Sequence, residues 1–465
     1  MNTSGVKIGA VLLVGGNLTG FFANTLWSDD YPFIVSSRES FKLFENEVVA
    51  NGRIVLAIGN HYMFKIVDAF GSTILPHFLA LAFLLGLYFV VLRNFADAEK
   101  KRLAIPLSLG LLTPPFFIFT NWASVWLYNF ASLLGVLSWM LWHKGKKWLS
   151  VPLLTSGYLI YPTAALSFLA LLPIQLLMLS HVRNEAWKRF LNNLFLVVSA
   201  TISTLVINML LFYFGQLSPA ERLRTAPISE IPEKAAWFLS RSLIASLQFV
   251  SVISPDPRTI LLLHVPIFIL FLVMLRIVIK DNIDIARFIG IGSLSISLAQ
   301  FPHIFGSERQ IEFRFLPASS LLVTTSFFLM LQIVLEKRNH YFVKNFLVTA
   351  FCIMAVFINN FRVLDFYSRQ YVDKEKFFGA ELSTCIGSFN VALSSSAVLL
   401  ASRPNIGTFS LLSDMQSSWV ATNYIEYRYG KKTEIMEGLG LGEQSKTECF
   451  IDMSKFKPSN PVLRI

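Results

Sequence analysis

The chain has 465 residues, of which 54% are hydrophobic and only 15% are charged. A soluble protein carries about 25% charged residues, so this composition excludes an ordinary soluble globular protein. The net charge of +11 is carried by short clusters between apolar runs, which is the pattern of topology signals, and no basic stripe interleaved with aromatic residues indicates nucleic-acid binding.

Eleven apolar runs approach the ~20 residues that a membrane span needs. The predicted spans are 8–27, 72–92, 104–120, 124–142, 149–161, 163–180, 191–214, 260–279, 288–302, 315–335 and 345–363. Two of them, 149–161 and 288–302, are short, so they are tilted, broken or imperfectly bounded. Lys7 before the first run is also compatible with a signal peptide, but the absence of a small-residue cleavage site favours an uncleaved span. The sequence therefore predicts an all-α polytopic membrane protein with about 11 transmembrane helices.

Every even-numbered predicted span is followed by a basic cluster. The clusters are Arg93 to Arg102, Lys144 to Lys147, Arg183 to Arg189, Lys280 to Arg287 and Lys337 to Lys344. The positive-inside rule places these loops and the N-terminus in the cytoplasm. We then expect a membrane module over 1–363, whose long outer loops are 28–71, 215–259 and 303–314, and an outer C-terminal domain over 364–465.

The first outer loop opens with two adjacent acids, Asp29 and Asp30, directly after the first span. Adjacent carboxylates repel each other, and a general base or a metal site would justify that cost. Acids at a membrane surface are candidates for function, although an ordinary polar loop after a span is the plain alternative. The sequence makes this pair the first candidate for a catalytic site.

The same loop continues with a mixed apolar and charged stretch, Glu39 to Ala50, which predicts an amphipathic helix lying in the membrane interface. Asn51, directly after this stretch, is a predicted helix N-cap. Arg53 either snorkels to lipid head groups or binds an anionic ligand near the acids.

The region 104–142 is rich in proline and aromatic residues. The Pro114–Pro115 pair predicts a broken helix, which at membrane depth is tolerated only against protein or a water-filled cavity. Trp122 is either a boundary marker or a cavity-lining side chain. Tyr158 and Tyr161 stand at a second outer turn before Pro162, and they either line the same cavity or form a tight hairpin turn.

The later outer loops carry more charge. Within 215–259, Ile231 to Val250 predicts a second amphipathic helix that packs over the bundle. Within 303–314, Glu308, Arg309 and Arg314 stand beside the tenth span. Arginine presents a planar fork of donors that suits phosphate, so this loop is either an anion site or an internal salt-bridge network.

The last hundred residues predict a small α/β domain. Helices are expected over Asp365 to Ile386 and Gln416 to Tyr429, and strands over Ala397 to Ala401 and Phe450 to Met453. Cys385 and Cys449 are either a disulfide, if this domain faces an oxidising compartment, or two free thiols.

The motifs for nucleotides, haem and structural zinc are missing from the sequence. With its acids, arginines and topology, the chain resembles the polytopic glycosyltransferases of the GT-C class, and is most similar to bacterial glucosyltransferases that modify O-antigen during serotype conversion. The resemblance is carried by Ser28-Asp29-Asp30-Tyr31 after the first span, by Asn51-Gly52-Arg53, and by the turn from Tyr158 to Pro162. It covers nearly the whole chain through short motifs.

The resemblance implies a multi-pass protein of the bacterial inner membrane with a periplasmic active site and C-terminus. It implies inverting or retaining transfer of a glucosyl or other hexosyl group from an undecaprenyl-phosphate sugar to a hydroxyl of lipid-linked O-antigen or a related glycan. Asp29 or Asp30 is then the base, and Arg309, Arg314 and Arg53 hold the donor phosphate. The remaining predicted contacts to substrate are Glu308, Tyr31, Tyr158, Tyr161 and Trp122. We expect no metal and no other cofactor.

Other interpretations of the same sequence stay open. A flippase for a lipid-linked sugar would use a similar basic mouth and lipid-sized groove. A transferase of acyl or phosphoethanolamine groups is a further competitor, and a structural membrane protein is the plainest. The sequence leaves the sugar, the acceptor and the linkage open.

Overall fold

The structure is a computed structural model that describes residues 4–23, 30–43, 47–215, 228–237, 257–302, 316–337, 340–361, 380, 398–401, 434–437 and 449–451. The first helices are α1 (Ser4–Gly16), α2 (Leu18–Ala23), α3 (Asp30–Arg38), α4 (Glu47–Ala50), α5 (Ile54–Phe70), α6 (Ile74–Arg93), α7 (Asp97–Leu111), α8 (Pro114–Asn121) and α9 (Tyr128–His143). They continue as α10 (Lys147–Tyr158), α11 (Pro162–Ala165), α12 (Leu171–Met178), α13 (Ser180–Asn184), α14 (Ala186–Gly215), α15 (Ile231–Trp237), α16 (Pro257–Val278), α17 (Asn282–Ala299), α18 (Pro317–Lys337) and α19 (Tyr341–Phe361). Short 3₁₀ turns cover Ala123–Val125, Leu166–Ala170 and Ile228–Glu230.

All eleven predicted spans fall on helices or on runs of short helices. By length and composition, six helices of the described residues can cross a membrane, or seven if the bent pair α7–α8 counts as one span. The chain is therefore a mostly helical protein with several candidate spans. The count of eleven spans stays a prediction, because several of these helices are short or broken.

Two helices are interrupted within the bundle. The first run breaks at Asn17, between α1 and α2, and the third breaks between α7 and α8 with a bend of 67°. Pro114 is the first residue of α8, the position where its missing N–H costs nothing. Every residue of α8 is buried, so the expected break at the proline pair is confirmed and lies against protein.

The end of α19 satisfies backbone groups at both breaks. Asn360 donates from Nδ2 to the Gly15 carbonyl at 2.7 Å, and its Oδ1 accepts from the amide and the hydroxyl of Thr19 at 3.1 and 2.7 Å. Asn359 donates to the Leu112 carbonyl at 2.9 Å. Broken helices expose backbone groups that lipid cannot satisfy, so these two asparagines stabilise the interrupted geometry.

The basic clusters meet at one end of the bundle, which we call the basic end. Glu336 near the end of α18 accepts from Arg102 of α7 at 3.2 Å and from Lys344 of α19 at 3.1 Å. On the neighbouring helices, Arg183 and Arg287 both pair with Asp284 of α17, at 3.4 and 2.9 Å.

Three further contacts complete the basic end. Lys337 of α18 donates to the Ile277 carbonyl of α16 at 3.2 Å. His143, at the end of α9, lies 3.1 Å from the amide oxygen of Asn193 on α14. Gly5 packs against the Lys101 backbone, which brings the first helix to the same end. The loops that were predicted to share one side of the membrane therefore share one end of the fold.

Small residues bring the central helices close together. A Cβ on Gly135 of α9 would lie 1.9 Å from the Ala165 carbonyl oxygen, so only glycine fits this crossing. Most of α18 is buried, including five hydroxyl residues between positions 319 and 326, namely Ser319, Ser320, Thr324, Thr325 and Ser326. Small residues at helix crossings are typical of membrane bundles, where backbones must approach closely to gain packing energy.

Three short parallel strands are described in the last hundred residues. They are β1 (Val398–Ala401), β2 (Glu434–Glu437) and β3 (Cys449–Ile451), in the order β2–β1–β3. The predicted strands at 397–401 and 450–453 overlap β1 and β3 at the residues that are described, and β2 was not predicted. The predicted helices at 365–386 and 416–429 lie outside the described residues apart from Ala380, so the α/β domain remains a prediction.

The prediction for 39–50 was wrong. Residues 39–43 are not an α-helix, and among the described residues of this stretch only α4, its last four, is α-helical. Helix α3 ends at Arg38, whose guanidinium makes two hydrogen bonds to Asp68 of α5 at 3.0 and 2.8 Å. Phe41 then packs on the His61 ring with 5.0 Å between centroids. These tertiary contacts override the local helical pattern.

Candidate functional site

Asp30 is the first residue of α3, and its side chain is fully buried. Its Oδ1 accepts a hydrogen bond from the Ser124 amide at 2.8 Å. Ser124 belongs to the 3₁₀ turn between α8 and α9, whose free N–H groups would otherwise be buried without a partner. A carboxylate in this position holds the turn in place and brings negative charge to the end of the bundle opposite the basic end.

Asn60 of α5 braces the same turn. Its Nδ2 donates to the Ser124 carbonyl at 2.8 Å, and its Oδ1 accepts from the Trp126 indole at 3.1 Å. Ser124 is therefore held through both its amide and its carbonyl by side chains from two separate helices. Asp30 and these three residues are all buried, so the hydrogen bonds form where water does not compete with them.

Arg53 immediately precedes α5, and its guanidinium lies over the Tyr161 ring, 4.9 Å from the centroid. Tyr161 stacks in turn on Tyr128 of α9, with 4.0 Å between centroids and an angle of 5° between the planes. Phe119 of α8 meets both tyrosine rings edge-on. The cation therefore rests on a rigid aromatic stack built from three separate parts of the chain.

Arg53 is half-buried, and no carboxylate among the described residues forms a salt bridge with it. The arginines of the basic end, by contrast, pair with Glu336 or Asp284. A guanidinium keeps its charge at all working pH values. The stack therefore holds a fixed positive charge that can receive an anion.

The turn that carries Arg53 is shaped by glycine. Gly52 has a φ of 73°, and a Cβ there would lie 2.7 Å from Nδ2 of Asn208 on α14. The prediction that Asn51 is the N-cap was wrong, because the left-handed Gly52 delays the helix and the N-cap residue is Arg53. The Val55 amide then donates to the Leu159 carbonyl at 3.2 Å, which ties α5 to the turn that holds Tyr161.

The structure brings some of the predicted site residues together. Arg53 and Tyr161 are in contact. Asp30 accepts a hydrogen bond from the turn that follows Trp122, the C-cap residue of α8. Trp122 and Tyr158 are buried. The role of each in binding substrate stays a prediction.

Most of the other predicted site residues fall outside the described part of the chain. Asp29, Glu308, Arg309, Arg314 and Cys385 lie outside the described residues. Tyr31 lies in α3 and Cys449 in β3. Cys352, on α19, is a free, buried thiol.

No group of three or more histidine, cysteine, aspartate or glutamate side chains among the described residues is arranged to hold a metal ion. This finding does not extend to the acid at position 29, so the expectation of a metal-free reaction stays a prediction. No family model matches the chain, and no curated protein matches it.

Sequence reasoning missed Asn60 and Ser124, the two residues that lock the turn beside Asp30. Asn60 carries a weak signal, because a polar amide stands inside the apolar run from Ile54 to Phe64. Ser124 carries none, since it contributes only backbone groups to the contacts with Asp30 and Asn60.

Proposed function

We propose that this protein is a glycosyltransferase that moves a hexosyl group from a polyprenyl-phosphate sugar to a hydroxyl of a lipid-linked surface glycan, such as O-antigen. The proposal joins the sequence resemblance to the site described above. Its site is the end of the bundle opposite the basic end, which we infer to face the periplasm of a bacterial inner membrane.

The observation that carries the proposal is the Arg53 guanidinium. It is half-buried, rests on Tyr161, and forms no salt bridge with a carboxylate of the described residues. A charge that has no counterion in the described part of the chain suits a phosphate, which accepts the two parallel hydrogen bonds that guanidinium offers. The leaving group of the proposed reaction is a lipid phosphate, whose developing charge needs such a donor.

The acid pair supplies the second requirement of the reaction. In one inverting step, the acceptor oxygen bonds to C1 of the sugar while the bond from C1 to the phosphate oxygen breaks. The acceptor proton passes to a carboxylate, and the electron pair leaves with the polyprenyl phosphate. We assign the proton to Asp29 and a positioning role to Asp30, because the Asp30 carboxylate already accepts from the Ser124 backbone.

The location of the site also supports a lipid-linked donor. The basic loops gather at the other end of the bundle, and the positive-inside rule assigns that end to the cytoplasm. Nucleotide sugars are cytoplasmic, so an enzyme that works at the opposite end needs a donor carried through the membrane. The absence of a nucleotide-binding motif from the sequence agrees with this choice.

The test is a transfer assay with the purified full chain in lipid nanodiscs, with synthetic polyprenyl-phosphate glucose as donor and lipid-linked O-antigen as acceptor. We expect hexose to be added to the acceptor, as measured by mass spectrometry. Arg53→Ala should raise the KM for the donor by about 10- to 100-fold, the value of a hydrogen bond to a charged group. Arg102→Ala removes an arginine from the basic end and is the matched control, which should leave this KM unchanged.

Three results would contradict the proposal or part of it. Unchanged acceptor mass with every polyprenyl-phosphate hexose offered would exclude hexosyl transfer. Movement of a labelled lipid-linked sugar across the nanodisc or vesicle membrane without change in the acceptor would instead favour a flippase. Equal effects of Arg53→Ala and Arg102→Ala would remove Arg53 from the site.

A further inference from the structure

Helix α5 has two apolar faces. One packs on the protein through Leu56, Met63, Phe64 and Val67, all buried. The other exposes a row of large apolar side chains spaced four residues apart: Ile58 at 39%, Tyr62 at 59%, Ile66 at 38% and Phe70 at 79% exposed. A helix with large apolar side chains on two faces is expected inside a core or a membrane rather than in water.

Charge on the exposed face of α5 is limited to Lys65, whose Nζ lies 5.9 Å from the centre of the Tyr62 ring. Asp68 is engaged by Arg38 at 2.8 Å. Burial, followed by the charge of Lys65, lowers the pKa of His61, which favours its neutral form near pH 7. A lysine beside a tyrosine is the combination found at membrane–water boundaries, where both side chains reach toward the head groups.

The buried face of α5 crosses the ends of other helices. The Val55 amide bonds to Leu159 just after α10, and Asn60 bonds to Ser124 and Trp126 just before α9. These contacts are five residues apart on α5, about 7.5 Å along its axis. Helix α5 therefore lies over neighbouring helix ends at the end opposite the basic end, instead of running beside them through the bundle.

The exposed row continues into a candidate membrane span. Gly71 adopts the left-handed conformation after α5, and α6 begins at Ile74. Ile74 and Phe78, in the first turns of α6, are likewise 51% and 57% exposed. Helix α6 is one of the candidate spans, so the exposed row of α5 ends four residues before a helix that can cross a membrane.

We propose that α5 is an in-plane membrane anchor, whose row Ile58, Tyr62, Ile66 and Phe70 is embedded in the bilayer at the end opposite the basic end. The partner of this surface is the lipid itself. The anchor places Arg53, at its start, near the level of the lipid phosphates. The inference is independent of the chemistry proposed above, because it depends only on the exposed face of α5 and its position directly before the candidate span α6.

The experiment places a photoreactive benzophenone amino acid at Ile66 of the full chain in lipid nanodiscs and identifies the cross-linked partner by mass spectrometry. Phe195, exposed on the candidate span α14, is the lipid-facing control. Lys146, exposed in the turn between α9 and α10, is the control in water. Lipid adducts at Ile66 should match those at Phe195 and exceed those at Lys146 by about tenfold, as expected for a side chain among acyl chains.

The same photoreactive residue placed at Tyr62 controls for a local disturbance at Ile66, and it should cross-link to the same partner. Cross-links between two copies of the chain would overturn the inference in favour of a protein interface. Cross-links to another segment of the same chain would show that protein covers this face. Adduct yields at both positions as low as at Lys146 would show that the face lies in water.

Discussion

The two ends of the helix bundle hold their charges in different ways. At the basic end, Arg102 and Lys344 converge on Glu336, and Arg183 and Arg287 converge on Asp284. At the opposite end, Asp30 bonds to the backbone of Ser124, and Arg53 lies over an aromatic ring. Arg38 and Asp68 also form an ion pair at this end, but Arg53 forms no salt bridge with a carboxylate of the described residues and remains able to act on a ligand.

The places where helices are interrupted also distinguish the site from the basic end. The interruptions at Asn17 and before Pro114 lie within the bundle, and the turn before Pro162 lies at the end that carries Arg53. Interrupted helices bring backbone groups and side chains into the interior, where continuous helices would present only apolar surface. We infer that the broken elements build the site and that the basic end orients the protein.

The largest predicted effect separates the two acids. Asp29→Asn should reduce the rate of hexosyl transfer by about 100- to 10,000-fold, the usual contribution of a general base. Asp30→Asn should cost less, because an amide oxygen can still accept from the Ser124 N–H. The measurement is the single-turnover rate with each variant. Normal transfer by both variants would show that neither acid is the base.

The different roles of Asp29 and Asp30 can be argued only partly from the sequence. The pair is visible as Asp29-Asp30 after an apolar run, but the partner of Asp30 is 94 residues away at Ser124. Likewise, the Arg53 motif and the Tyr158 to Pro162 turn are separate signals in the sequence, while the contact between Arg53 and Tyr161 arises from packing of α5 across the ends of α9 and α10. Local patterns predict elements, and tertiary contacts decide the site.

Apolar runs are the most informative part of the sequence, since each of the eleven falls on helix. Boundaries within polar segments are the least informative. The amphipathic pattern of 39–50 predicts a helix, but the pairing of Arg38 with Asp68 ends the preceding helix and the chain continues differently. The extent of helix α5 was not predicted, because its polar Asn60, His61, Lys65 and Asp68 obscure an apolar pattern that continues around both faces.

The next effect concerns stability at the broken helices. Asn360→Leu removes hydrogen bonds to Gly15 and Thr19 and should lower the free energy of unfolding by about 1–3 kcal/mol, the cost of unsatisfied buried groups. Asn94→Leu is the matched control, because the Asn94 side chain donates to the Val90 carbonyl of the helix that it caps and its loss should cost less. Unfolding by SDS titration in mild detergent measures both. Equal losses of stability would show that the hydrogen bonds of Asn360 at the break contribute no more than an ordinary side-chain hydrogen bond.

A smaller effect tests the aromatic support of the guanidinium. Arg53→Lys keeps the charge but loses the planar group that stacks on Tyr161. The KM for the donor should rise by roughly tenfold, in line with the ~1–2 kcal/mol of a partly desolvated cation–π contact. Tyr161→Leu should give a similar rise with arginine still present. A rise with Arg53→Lys alone would mean that the ring does not support the cation.

The smallest effect belongs to the basic end. Arg102 is more than half exposed, and Glu336 keeps Lys344 as a second partner. Arg102→Gln should therefore lower the free energy of unfolding by only about 0.2–1 kcal/mol, as for exposed ion pairs. The loss should shrink in high salt, because screening weakens such pairs. Transfer should keep its wild-type KM and rate, since this residue lies at the end of the bundle away from Arg53. A transfer defect as large as that of Arg53→Lys would mean that the two ends are coupled and that the division of roles between them is wrong.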